Sequence, residues 1–261
     1  MKVIILAGGL GTRMGEETIN IPKPMIEING RPMLWHIMKH YAYYGYDDFI
    51  ICLGYKGRVI RDYFLNYAQM NYDCQVDLDG SWSLLGEYED WPELDWKVTL
   101  VDTGLETQTG GRLKRVQKYI GHNQFMVTYG DGVSDVDIPQ LLTIHNTFCQ
   151  INQVYGTLTS INSKSRFGEI EYRGGLITSF EEKAKSSKIN GGFFVFEPEV
   201  FDYIEGDADP LEGGLLTRLT KLGKLAACEH NGFWGCCDTL KEVKGLNDLC
   251  KDRKQPPWQV W

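Results

Sequence analysis

The apolar run Lys2-Val3-Ile4-Ile5-Leu6-Ala7 gives way abruptly to Gly8-Gly9-Leu10-Gly11-Thr12-Arg13, and this junction limits the fold more than any other feature of the chain. A short strand without polar alternation belongs inside a sheet covered on both faces. Three glycines within four positions let the backbone approach a ligand closely and turn several N–H groups into one concavity, as phosphate-cradling loops do. Two familiar versions of such a loop do not fit. A dinucleotide fingerprint needs a glycine three positions after Gly11, where Met14 stands, and an acidic residue ending the second strand, where Cys52-Leu53-Gly54 stands. A Walker loop needs Gly-Lys followed by Ser or Thr, a triplet the chain lacks. What remains is a glycine loop followed at once by a cation, Arg13, and then by Lys23 between Pro22 and Pro24, whose rings stiffen the backbone around the lysine.

The rest of the first half alternates strand and helix. Met33, Leu34, Ile37, Met38, Tyr41 and Ala42 recur at helical spacing, with Gly45 closing the helix. Phe49–Leu53 is a strand, about Val59–Tyr67 a second amphipathic helix, Lys97–Val101 and Phe125–Tyr129 further strands, and Gly111–Tyr119 a helix between them. This order predicts a Rossmann-like, mostly parallel mixed α/β sheet with helices on both faces. From about residue 151 the texture is mixed. Glu169–Tyr172 and Leu176–Phe180 form a hairpin around Arg173-Gly174-Gly175, and Gly192–Phe196 is another strand. Asp79–Trp96, acidic, aromatic and irregular, reads as an insertion or subunit contact. With no linker between the halves, one domain over 1–261 is expected, its α/β half at about 1–150 and its mixed half at about 151–261, the latter with a C-terminal helix.

Composition narrows the partners. Lys and Arg total 27 against 35 Asp and Glu, a net charge of −8, which excludes a diffuse basic surface for nucleic acid or anionic membrane. No apolar run reaches the ~18 residues of a membrane span, and the first strand is too short for a signal peptide, so a cytoplasmic location is expected. Seven cysteines scattered without a CxxC pair read as reduced, packed thiols.

Leu6-Ala7-Gly8-Gly9-Leu10-Gly11-Thr12-Arg13 followed by Lys23-Pro24 resembles the opening signature of the sugar-1-phosphate nucleotidyltransferases. Within that superfamily PKPM at 22–25, DFIICLGYKG at 48–57, TGGRLKR at 109–115, TYGDG at 128–132, INGGFFVF at 189–196, GFW at 232–234 and DTL at 238–240 are similar to the glucose-1-phosphate cytidylyltransferases, from end to end. The resemblance implies a glycosyltransferase-A-like fold with a small β-rich sugar-binding part. It implies transfer of a cytidylyl group from CTP to glucose 1-phosphate, giving CDP-glucose and pyrophosphate for surface-polysaccharide synthesis in an enzyme that assembles as a homo-oligomer. Such in-line displacement at phosphorus needs positioning and charge neutralisation rather than a protein nucleophile.

Each role then follows from the resemblance. Leu6, Ala7, Gly8, Gly9, Gly11 and Thr12 cradle the nucleotide. Arg13 meets the departing phosphates and Lys23 the α-phosphate, while Asp131, between Gly130 and Gly132, joins Asp238 as a ligand of Mg2+. Thr103, Gly104, Thr109, Gly110 and Gly111 read the pyrimidine edge through the main chain, and Arg112 touches the ligand, although Arg112, Lys114 and Arg115 also fit an exposed basic helix face. Lys183, Asn190, Gly191 and Gly192 hold the sugar phosphate. Two departures from the family pattern stand out. Lys183 is followed by Ala184 rather than proline. Gly235-Cys236-Cys237 replaces the usual glutamine, proline and methionine, and the missing side chain at Gly235 is expected to relax the sugar pocket. Another sugar 1-phosphate or UTP is the nearest alternative, and a non-catalytic nucleotide sensor a remote one.

Overall fold

The computed structural model describes residues 1–11, 20–87, 92–163, 169–173, 176–181, 187–251 and 255–261. Arg13 and Thr12, placed in the phosphate loop above, and Lys183, placed at the sugar phosphate, lie outside these residues.

The principal elements are β1 (Lys2–Ala7), α1 (Met33–Tyr43), β2 (Asp48–Leu53), α2 (Gly57–Leu65), β3 (Lys97–Asp102), α3 (Thr109–Val116), β4 (Phe125–Tyr129), β5 (Gly132–Ser134), α4 (Ile138–Asn152), β6 (Gly156–Ser163), β7 (Glu169–Arg173), β8 (Leu176–Glu181), β9 (Ser187–Phe196), α5 (Thr217–Lys221), β10 (Leu225–His230), β11 (Trp234–Cys236) and α6 (Leu240–Lys251). Seven strands form one sheet in the order β10-β6-β9-β4-β1-β2-β3. All run in one direction except β9, which is antiparallel to both β4 and β6. The sheet is therefore the mostly parallel mixed sheet that strand–helix alternation predicts.

Alternation along the central strands divides their side chains between two cores. Val3, Ile5 and Ala7 of β1, with Phe49, Ile51 and Leu53 of β2, pack against Met33, Leu34, Ile37 and Tyr41 of α1, Ile60 of α2, Leu141 of α4 and Leu246 of α6. Ile4 and Leu6, with Ile50 and Cys52, face the other way onto Leu113 and Val116 of α3 and Leu219 of α5. Side chains alternate across a strand, so a strand apolar at every position is one buried on both faces. Each such fully buried Val, Ile or Leu contributes about 1.5–3 kcal/mol.

Several boundaries differ from expectation. The second helix starts at Gly57 and stops at Leu65, with a separate turn over Tyr67–Asn71. The strand expected over Gly192–Phe196 begins earlier, at Ser187, because its polar residues pair with β6. The hairpin of β7 and β8 is antiparallel as expected, and its Gly174-Gly175 turn lies outside the described residues. The segment read as irregular carries Trp82–Leu84, which pairs with Cys74–Val76. It is tied to α1 where the Lys39 ammonium donates to Glu93, and to Tyr72, whose hydroxyl also donates to Glu93. Trp82 and Leu85 stand exposed along it, and Leu78 just before it. All seven cysteines are free thiols. Among the described residues no helix is long and apolar enough to cross a membrane.

Candidate active site

At the carboxyl edge of β1 and β4, where open parallel sheets bind ligands, lies a cavity of about 340 Å³. Its floor is the end of β1 and the loop after it: Leu6, Ala7, Gly8, Gly9 and Gly11. Gly130 hydrogen-bonds through its N–H to the Leu6 carbonyl, so Asp131 emerges beside that loop. Residues expected at the site from sequence thus meet here: the loop glycines, Lys23, Arg112, Gly130, Asp131 and Asp238.

Two carboxylates far apart in sequence are brought together by one short antiparallel pair. In the β5–β11 register Gly132 faces Cys236 and Ser134 faces Trp234. Asp131 therefore precedes one strand and Asp238 follows the other at the same end. The pair is fastened at both ends. The Cys237 N–H donates to the Asp131 carbonyl at 2.8 Å. At the other end the Phe233 N–H donates to the Asp135 carboxylate at 2.6 Å, and the Ser134 hydroxyl to the Phe233 carbonyl at 2.5 Å. Asp238 is further held by the start of α6, where the Glu242 carboxylate accepts from its N–H at 2.9 Å. The Glu242 N–H in turn donates to the Thr239 hydroxyl at 3.3 Å, an N-cap for α6.

Lys23 supplies the cation between them. It starts a single 3-10 turn over Lys23–Met25, set by the prolines that flank it. Its ammonium donates to Asp131 Oδ2 at 2.6 Å and to Asp238 Oδ1. Burial works to lower the lysine pKa, yet the two carboxylates outweigh it, and the net shift is upward. Two carboxylate oxygens converging on one positive atom are also the donor set a hard divalent cation takes. Asp131 and Asp238 thus fit such an ion.

Arg112 lines the same cavity but is only 4% exposed. Its Nη1 donates to the carbonyls of Leu53 at 3.0 Å and Gly104 at 2.8 Å and to the Thr103 hydroxyl at 2.8 Å. Nη2 donates to the carbonyls of Gly8 at 3.0 Å and Leu105 at 3.2 Å. Burial lowers its pKa from the ordinary arginine value without bringing it near neutrality. The guanidinium knits the glycine loop to the ends of β2 and β3, and a side chain at Gly8 would collide with it.

Thr103 and Gly104 sit behind Arg112 rather than in the cavity wall. Gly110 and Gly111 are likewise outside the wall. A Cβ on Gly110 would come 2.7 Å from the Asp209 carbonyl, and one on Gly111 2.5 Å from that of Asp207, so these glycines let α3 press against residues 207–209. The wall there is made by Thr109, which the sequence reading placed at the base, and by Thr107 and Gln108 leading into α3, which it passed over. Tyr129 and Pro24 were missed as well, although each adjoins a residue that was identified. The basic run divides: Lys114 donates to the Phe201 carbonyl, and exposed Arg115 pairs with Asp207.

Toward the sugar-side residues, the Asn190 amide donates to the Tyr129 hydroxyl at 3.1 Å, and that hydroxyl donates to Glu212 at 2.6 Å. Burial and then Glu212 push the Tyr129 pKa upward. The Gly191 carbonyl accepts from the Trp234 indole at 2.7 Å, and the Gly192 N–H donates to the Asn190 side chain at 3.0 Å. The three residues stand one layer behind Tyr129. The expectation that Gly235 widens the sugar pocket is corrected. A Cβ there would meet Leu246 at 3.0 Å and Phe233 at 3.1 Å, so this face of β11 is packed against α6. The adjacent thiols are held protonated, with burial first and nearby carboxylates second pushing Cys236 up to about 11 and Cys237 up to about 12.

Residues 2–232 match the nucleotidyl transferase family. The chain is 46% identical to a glucose-1-phosphate cytidylyltransferase from Salmonella typhimurium and 46% identical to one from Salmonella typhi, in both cases over 264 aligned positions covering 100% of each chain. Among solved structures it is similar to a UDP-glucose pyrophosphorylase complexed with UDP-glucose (TM-score 0.67, 18% identity, 97% of this chain and 99% of that one). It is equally similar to HddC from Yersinia pseudotuberculosis (TM-score 0.67, 22% identity, the same coverage). At such identities these two likenesses speak for the fold alone. Identity across the full length of the Salmonella enzymes, joined to a family match that opens at residue 2 and runs to residue 232, places the chain in the nucleotidyl transferase family.

Proposed function

We propose that the cavity binds CTP and glucose 1-phosphate and catalyses cytidylyl transfer, giving CDP-glucose and pyrophosphate. The observation that carries this reading is the full-length 46% identity to glucose-1-phosphate cytidylyltransferases, supported by the convergence of Lys23, Asp131 and Asp238 on one point. The N–H groups of Gly8, Gly9 and Gly11, with Thr12 and Arg13, hold the triphosphate. Leu6 and Ala7 carry the loop, and Arg112 acts as a positioning residue beneath it. Lys23 orients the α-phosphate. Asp131 and Asp238 hold Mg2+, which when bound supplies charge neutralisation at the phosphates. Thr107, Gln108 and Thr109 meet the base, in front of Thr103, Gly104, Gly110 and Gly111. Tyr129, fixed by Asn190 and Glu212, faces the sugar, with Gly191, Gly192 and Lys183 on that side. The chain forms one domain with its nucleotide side before about residue 150. It works in the cytoplasm as a homo-oligomer, using the exposed Leu78, Trp82 and Leu85, and feeds CDP-glucose to surface-polysaccharide (O-antigen) synthesis.

The test is a matrix of nucleoside triphosphates against sugar 1-phosphates with magnesium, read as pyrophosphate release. CTP with glucose 1-phosphate is expected to give the highest kcat/KM. Preference for UTP would overturn the base assignment, and no release with any pair would overturn the activity. Asp131→Asn is expected to lose at least about 100-fold in kcat, the scale of lost transition-state charge stabilisation, with the fold unchanged. An unchanged rate with normal magnesium dependence would remove Asp131 from the metal site.

A further inference from the structure

At the other end of the sheet three donor atoms of different chemistry converge. His145 and Cys149 lie one turn apart on α4, and Glu197 follows the last residue of β9. His145 Nε2 is 3.4 Å from Cys149 Sγ and 3.2 Å from Glu197 Oε1, and the sulfur and the carboxylate oxygen are 3.7 Å apart. Zinc bonds of ordinary length at tetrahedral angles give edges of about 3.6 Å for N···S, about 3.4 Å for N···O and about 3.6 Å for S···O. Each edge of this triangle agrees to within about 0.2 Å, the tolerance expected of a metal site. We propose that His145, Cys149 and Glu197 form a transition-metal site, of a kind that takes Zn2+, tying α4 to the end of β9.

The surroundings suit this role. His145 is fully buried, and its Nδ1 lies 2.8 Å from the Thr157 hydroxyl on β6. In the tautomer that donates from Nδ1 to that oxygen, the Nε2 lone pair faces the sulfur and the carboxylate. This is how supporting hydrogen bonds fix a metal-bound imidazole. Thiolate and imidazole select zinc or cobalt over magnesium or calcium. The carboxylate of Glu197 is 26% exposed and Cys149 is half-buried, leaving a solvent side for entry and for a water as fourth ligand. Binding replaces the thiol proton, which leaves to solvent. The Gln124 amide, 2.8 Å from Glu197 Oε1, holds the carboxylate in place. The site is remote from the candidate active site: Phe196, just before Glu197, pairs with Phe125 at the start of β4, whereas Asp131 lies beyond its end.

Cobalt(II) titration of the full chain is the test. One equivalent with a thiolate-to-cobalt charge-transfer band is expected, bleached by added Zn2+ and lost in Cys149→Ser. The oxygen ligands Asp131 and Asp238 give no such band. Absence of the band, or a band that survives in C149S and so belongs to another thiol, would overturn the proposal. In the unmodified chain Zn2+ is expected to slow alkylation of Cys149 at least tenfold, read by peptide mass. Equal alkylation with and without Zn2+ would likewise refute it, whether or not C149S folds.

Discussion

Replacing Arg112 by methionine keeps most of the side-chain volume and removes every donor. The consequence can be worked from its acceptors. The Leu53 carbonyl keeps the Thr103 N–H and hydroxyl, and the Gly8 carbonyl keeps the Tyr55 N–H. The carbonyls of Gly104 and Leu105 have Arg112 as their donor. A buried acceptor stripped of its partner costs about 1–3 kcal/mol. Gly104 is only half-buried and Leu105 is exposed, so water in part replaces the lost donor at both and each falls at the low end of that range, a loss of about 2 kcal/mol in all. For a chain of this size that is a fall in Tm of about 4–8 °C. Because one of the released bonds anchors Gly8, KM for the nucleotide is expected to rise more than tenfold while kcat changes less. Urea unfolding and steady-state kinetics on the same preparation check both. A stability loss below about 0.5 kcal/mol, or a lower kcat at unchanged KM, would refute the assignment of Arg112 as a brace.

Gly111→Ala places a methyl against the Asp207 main chain and is expected to cost about 1–3 kcal/mol by overpacking, measured by chemical denaturation; a neutral effect would show that α3 stands off from residues 207–209. Burial lowers the His40 pKa to about 4, so the unfolded chain takes up this proton first as the pH falls below about 6.5. Stability is then lost between about pH 6.5 and 4 at up to about 1.4 kcal/mol per pH unit, near 3 kcal/mol in all. His40→Gln is expected to flatten that part of the stability–pH curve, and an identical slope would refute the assignment. Lys23→Met leaves Asp131 and Asp238 without their shared cation at a half-exposed site, an expected loss of about 1–3 kcal/mol that millimolar magnesium partly restores; melting curves identical with and without magnesium would refute the convergence.

How far the sequence reveals this molecule depends on whether the information is local. β1, β2 and β4 are legible because nearly every residue in them is apolar, which leaves burial on both faces as their only arrangement. The glycine loop and Lys23 are legible because conformation is written into Gly and Pro themselves. Arg112 is not. In a basic run its burial depends on carbonyls from Gly8, Leu53 and Gly104, brought together only by the sheet, while Arg115, three residues on, is the exposed cation that a charge run ordinarily signals. Gly235 is misread for the same reason, because what its missing side chain would touch belongs to α6. The meeting of Asp131 with Asp238 has no periodic signature either. Family resemblance pointed to it, and the β5–β11 register supplies the physical cause.

That register also bears on how an acidic chain would receive the polyanion of the proposed function. Within the cavity Lys23 carries one positive charge against the two negative charges of Asp131 and Asp238, so this trio alone has a net charge of −1. Arg112 adds little outward field, since its nitrogens point into main-chain carbonyls. A triphosphate approaching these groups alone would be repelled at short range. A divalent ion held by the two carboxylates reverses the sign of the trio to +1 and leaves Lys23 free to turn toward phosphate. On the proposed function the carboxylates would make anion binding conditional on the metal: the chain's net charge of −8 discourages adventitious anions, and affinity for the triphosphate is expected only with a divalent ion held by Asp131 and Asp238.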